Sequence, residues 1–364
     1  MALYKHGVTS KIAAASILTL LASGATAADS NLGVGVWGTY EYLFDNDASE
    51  ETFGQIKDEA IIFYADGSAS EGEGNWLYSA ELRMGPGSFT DPANNSTGDQ
   101  FTVHKAWVGW ELDDNHVVKF GKSQVPFGWK TYNFWPGDIL LAGFGDQMDV
   151  GVKLTGQQDR WNYDAAFYLA DDWGGTSTDT VDDNGHWGSS TTFRKVQTWV
   201  GNVSYDVAEN HALGVSLQTG KLQDLTGLGD NQVDGDHSAA VLHYQGRMDD
   251  FYAKASYITM DRDLPSLYRD DAGLPGTIEN QRFALELGYD QGPWSYYVDL
   301  SSAEPDTAGS TAGRVNAIAP GVRYNYGPGW FYVEYLTQDG FVDANGQVGE
   351  GDFDALYVTL DFYL

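Results

Sequence analysis

The sequence predicts an all-β chain folded as a transmembrane antiparallel β-barrel of about sixteen strands. Three observations predict it: an export leader, period-two alternation from end to end, and connections that alternate between tight turns and long polar loops.

The leader comes first in the chain. Lys5 and Lys11 form a basic start, Ile12 to Leu21 is a short apolar run, and Ala25-Thr26-Ala27 supplies the small-x-small cleavage pattern. That run is shorter than the roughly 20 residues a spanning helix needs. Residues 1–27 are expected to be removed, leaving 28–364 as a single barrel domain that starts near Ala28.

Composition then excludes other classes. The chain has 20 Lys+Arg against 52 Asp+Glu, a net charge of -32. Nucleic-acid partners are excluded, because phosphate contacts need clustered Lys and Arg. The absence of cysteine rules out a disulfide scaffold and thiolate chemistry. Glycine and aromatics are both abundant, the opposite of a disordered chain.

Alternation places the strands. Val34, Val36, Tyr40, Tyr42 and Phe44 share one face near the mature N-terminus, with Trp37, Thr39 and Glu41 on the other. The same rhythm predicts strands over 34–44, 56–65, 75–86, 100–112, 115–123, 148–156, 161–170 and 195–206. The second half adds 210–220, 236–247, 250–260, 281–290, 293–302, 313–325, 330–338 and 354–364. Segments 56–65 and 195–206 alternate poorly.

Tight turns separate these strands at Asp113-Asp114-Asn115, Gln157 to Arg160, Val207 to Glu209, Asp249, Gln291-Gly292 and Gly327-Pro328-Gly329. Between them lie polar loops at 87–99, 124–147, 171–194, 221–235, 261–280, 303–312 and 339–353. Short turns on one rim and long loops on the other characterise an outer-membrane barrel. Only 66–74 is longer than such a turn should be. The apolar faces carry Trp, Tyr and Phe near strand ends, as an aromatic girdle does, whereas a soluble sandwich would turn charge outward.

The last strand alternates to the final residue: Leu356, Val358, Leu360, Phe362 and Leu364 face one way. It resembles the C-terminal assembly signature of bacterial outer-membrane barrels, with Leu364 where Phe is usual. The run Val117-Val118-Lys119-Phe120-Gly121-Lys122-Ser123-Gln124-Val125-Pro126-Phe127-Gly128 resembles the central motif of the phosphate-selective porin O and P family. Met148-Asp149-Val150-Gly151-Val152-Lys153-Leu154-Thr155-Gly156 resembles the strand that follows that family's long loop. The resemblance covers roughly residues 100–170.

It implies a homotrimer with one pore per subunit in the outer membrane of a Gram-negative bacterium. Its partners would be membrane lipid, lipopolysaccharide and small hydrophilic solutes. It also implies that segment 124–147 folds into the lumen as a constriction loop. Pro126, Pro136, Gly137, Gly143 and Gly145 suit the bends of that path.

Strand charges should face the lumen, since Lys or Arg at mid-membrane on the lipid face costs about 2–4 kcal/mol. Alternation turns Arg83, Lys105, Lys119, Lys153, Lys254, Arg282 and Arg323 inward. It does the same for Glu41, Glu81, Glu111, Asp164, Glu286, Asp299, Glu334 and Asp361. The candidate constriction sets Arg83, Lys105, Lys119 and Lys153 as a basic wall against Asp138 and Asp146 on the loop, which also carries Lys130.

These features predict a water-filled channel for passive diffusion of small solutes and ions, with mild cation preference. An anion- or phosphate-selective pore is the alternative, although an anion filter is built from a denser Arg/Lys ring. A barrel enzyme is a further alternative, but no nucleophile–base pattern stands out. The Gly33–Gly38 run fits G-x-G-x-x-G, yet lacks the following helix of a dinucleotide site. No cofactor is expected. The acidic blocks near Asp182 and Asp230 lack full calcium-loop spacing, so Ca or Mg would only bridge loops.

Overall fold

The computed structural model describes residues 28–69, 74–88, 101–128, 148–170, 193–228, 231–343 and 345–364. The expected leader lies outside them. Sixteen strands follow in order: β1 (Ala28–Leu43), β2 (Gln55–Ala69), β3 (Trp76–Met84), β4 (Phe101–Asp113), β5 (His116–Gln124), β6 (Met148–Gln158), β7 (Trp161–Ala170) and β8 (Phe193–Ala208). The second half is β9 (His211–Asp224), β10 (Val233–Met248), β11 (Phe251–Asp263), β12 (Thr277–Gln291), β13 (Trp294–Pro305), β14 (Val315–Asn325), β15 (Trp330–Val342) and β16 (Val348–Tyr363).

Each strand pairs with its chain neighbours, and β1 closes on β16 from Gly35 opposite Tyr363 to Leu43 opposite Ala355. Leu364 seals the seam, exchanging backbone bonds with Val34 at 2.8 and 3.0 Å. Closure satisfies the backbone without an edge, the condition for strands to cross hydrocarbon. No helix among the described residues is long and apolar enough to do so.

Outward positions are apolar: Val34, Val36, Val150, Val152, Leu213, Val215, Leu217, Phe283, Leu287 and Leu360 stand exposed around the wall. Aromatic pairs mark the turn ends of strands, with ring centroids at 4.3 Å for Trp76–Trp110, 4.7 Å for Trp161–Tyr205 and 4.6 Å for Trp294–Tyr324. An apolar belt with such a girdle is that of a barrel set in the outer membrane.

The long connections open on one rim. Phe193 pairs with Asp224, and Asp263 pairs with both Asp236 and Thr277, so the β8 start and the ends of β11 and β12 that flank 264–276 lie on the same side. Both ends of the barrel lie on the other rim, with the short turns. The 66–74 connection shortens to 70–75, because β2 continues to Ala69. Two short helices sit on the loop rim, α1 (Asp47–Thr52) and α2 (Ser266–Ala272).

Candidate pore and its inward segment

The chain leaves β5 and turns into the barrel. Val125 and Phe127, each only 2% exposed, pack with Ala166 and Tyr168 of β7, Val200 of β8, Ala239 and Val241 of β10, and Ile258 and Met260 of β11. Those wall residues alternate with lipid-facing Leu169, Trp199, Leu242 and Tyr257, so they face the lumen. Residues 125–128 therefore lie inside the barrel. The rest of the expected constriction loop, with Lys130, Asp138 and Asp146, lies outside the described residues.

Two loop-rim connections cover the same half of the mouth. Leu264 is buried with Phe193, Leu222 and Ile278, and Tyr268 and Leu274 pack on that cluster. The Tyr268 hydroxyl donates to Asn345 Oδ1 at 3.0 Å, and the Asn280 amide donates to the Gly346 carbonyl at 2.6 Å.

The four bases of the expected wall sit on adjacent strands but do not act alike. Arg83 donates to Glu81 at 2.8 Å and stacks on Trp37, so its charge is locally compensated. Lys105 lies 3.8 Å from Asp66. Lys119 rests over the Trp107 ring at 4.5 Å, and its register partner is Lys153. Lys153 is spent on the chain itself: its Nζ donates to the Gln124 carbonyl at 2.6 Å. Lys119 and Lys153 form no ion pair within the described residues.

Lys105, Lys119 and Lys153 share the barrel wall with the buried carboxylates Glu286, Asp299, Glu334 and Asp361. The bases occupy β4–β6 and the carboxylates β12–β16, on opposite sides of the lumen. Glu286 is paired with Lys254 at 3.1 Å, and Glu334 accepts from the Tyr297 hydroxyl at 2.6 Å. Arg323 stacks over Trp330 within the same arc.

Alternation missed several buried cations. Lys195 and Arg262 are each 1% exposed, and Lys122 is 4% exposed. Gly121 at φ 118 breaks the rhythm before Lys122, and Gln197 at φ 53 bulges β8 beyond Lys195. Arg262 belongs to β11, which runs past the expected strand end. Positive φ at non-glycine positions could not be read from the pattern.

At the turn rim, His116 Nδ1 bonds Asp113 at 2.7 Å and its Nε2 meets the Tyr163 hydroxyl. This chain lies in the outward aromatic girdle, away from the lumen. Among the described residues no cluster of three or more His, Asp or Glu is disposed to hold a metal.

No protein-family model and no curated protein matches the chain. Solved structures do. In-vitro folded OmpT of Vibrio cholerae, in its trimer form, is 13% identical with a TM-score of 0.65, over 93% of this chain and 100% of that one. The outer membrane channel DcaP of Acinetobacter baumannii is 13% identical with a TM-score of 0.60, over 93% and 99%. The anion-selective porin from Comamonas acidovorans is 12% identical with a TM-score of 0.60, over 93% and 100%. At these identities the likeness establishes a shared fold: the barrel of Gram-negative outer-membrane porins.

Proposed function

We propose that the chain is a porin, a water-filled outer-membrane channel for passive diffusion of small hydrophilic solutes and ions. The observation that carries the reading is the cross-lumen packing of Val125 and Phe127 inside a closed sixteen-strand barrel with a charged inner wall. A barrel of this strand number encloses a channel too wide to select by itself. An inserted segment narrows it, and wall charges then act at short range. We read the assembly as a homotrimer with one pore per subunit, a reading to which the trimer form of the Vibrio cholerae neighbour lends support.

The lumen charges favour a polar, weakly selective pore over a phosphate filter. Bases on β4–β6 face carboxylates on β12–β16, so neither sign forms a ring. The anion-selective alternative draws on the adjacent Lys119 and Lys153, and on the anion-selective Comamonas neighbour. It is the finer form of the resemblance to the phosphate-selective porin O and P family.

Purified protein in a planar bilayer should give stepwise conductance that scales with bulk salt conductivity. Folded protein that inserts but passes no current, or that cleaves peptides or lipids, would overturn the channel reading.

A further inference from the structure

The inward turn is held by the barrel wall at both ends. At its start, Lys153 Nζ donates to the carbonyl of Gln124 at 2.6 Å. At its end, the Gly128 amide donates to Ser216 Oγ on β9 at 3.1 Å. Only Val125-Pro126-Phe127 lies between. The Phe127 amide returns to the Val125 carbonyl at 3.0 Å, a three-residue turn that suits the fixed φ of Pro126.

Behind Ser216 runs a directional chain. Ser216 donates to Asn202 Oδ1 at 2.8 Å, and Asn202 Nδ2 donates to Asp164 Oδ2 at 3.1 Å. Thr155 donates to the other oxygen of Asp164 at 2.8 Å. His243 Nε2 meets Asn202 Oδ1 at 3.2 Å. A carboxylate only accepts, so Asp164 fixes the orientation of the Asn202 amide. Asn202 Oδ1 then takes the single Ser216 proton, which leaves the hydroxyl lone pairs for the Gly128 amide. The network therefore presents an acceptor where the turn needs one.

We propose that Lys153 and Ser216 form a two-point clamp that positions the inward turn and so sets the bore, while Lys119 adds positive charge to the lumen without holding the turn. The proposal rests on the channel reading. It divides two lysines that are register partners: the Lys153 ammonium is committed to a carbonyl, whereas Lys119 lies over an aromatic face with no hydrogen-bonded oxygen among the described residues.

The test compares Ser216→Ala, Ser216→Thr, Lys153→Met and Lys119→Met in planar bilayers. It reads conductance levels, exclusion of neutral polyethylene glycols, and reversal potential in a KCl gradient. Heat-shifted electrophoretic migration checks that each barrel is folded. In Ser216→Ala and Lys153→Met, a larger conductance level should be occupied roughly two to ten times more often, the weight of one hydrogen bond. The size cut-off should rise with it.

Ser216→Thr should restore the wild-type pattern. Lys119→Met should shift the reversal potential with the size cut-off unchanged. Wild-type levels and cut-off in folded Ser216→Ala and Lys153→Met would overturn the clamp while leaving the channel intact. If Lys153→Met does not fold, Ser216→Ala against Ser216→Thr decides alone. A folded wild type without conductance would instead overturn the channel reading itself.

Discussion

Tyr252, Gly288, Tyr297 and Gly321 follow one another in register across β11 to β14. A Cβ at Gly288 would meet the Tyr252 ring, and one at Gly321 would meet the Tyr297 ring. Each tyrosine lies flat over a neighbouring glycine, and Tyr297 thereby reaches Glu334 to donate its hydroxyl proton at 2.6 Å. These glycines are required for space, since neither has a positive φ. Gly321→Ala should therefore cost about 1–3 kcal/mol by overpacking, read as a lower urea midpoint in detergent. Gly201→Ala, where nothing lies within 4 Å of the added carbon, should stay within about 0.5 kcal/mol. Equal midpoints for the two variants would show that the tyrosines yield freely.

At the scale of elements, all sixteen strands were legible because lipid on one side and water on the other impose period two. Their loop-rim ends were legible for β4 to β7 but not for several later strands. β10, β11 and β12 run several residues beyond the expected limits, and in the extensions of β11 and β12 Asp261, Asp263 and Glu279 take outward positions. Above the apolar belt both faces are polar, so pairing continues after the alternation has ended. The inward path of the chain after β5 was signalled by Val125-Pro126-Phe127 and is seen for residues 125–128. Lys153 was legible as inward, yet its bond to Gln124 was not, since that depends on where the chain turns. Replacing residues 129–147 by a short turn should raise single-channel conductance severalfold. Unchanged conductance in a folded barrel would mean that this segment does not restrict flow.

For the whole molecule, the charges described on the inner wall do not account for the acidic excess. The wall and buried bases include Arg83, Lys105, Lys119, Lys122, Lys153, Lys195, Lys254, Arg262, Arg282 and Arg323. Inward or buried carboxylates include Glu41, Glu81, Asp149, Asp164, Asp224, Glu286, Asp299, Glu334 and Asp361. These nearly cancel, so most of the net -32 lies elsewhere, with Asp236, Asp261, Asp263 and Glu279 facing outward near the loop rim. Such a field concentrates cations at the mouth, and divalent ions bridging acidic loops would weaken it. Mild cation preference is therefore expected at low salt. It should fade as the Debye length falls from about 30 Å at 0.01 M to about 3 Å at 1 M. Lys119 acts in the opposite sense at close range, where bulk salt screens poorly. Reversal potentials at both salt levels separate the two. Anion preference that persists at 1 M and collapses in Lys119→Glu would show that the lumen wall, not the acidic exterior, governs selectivity.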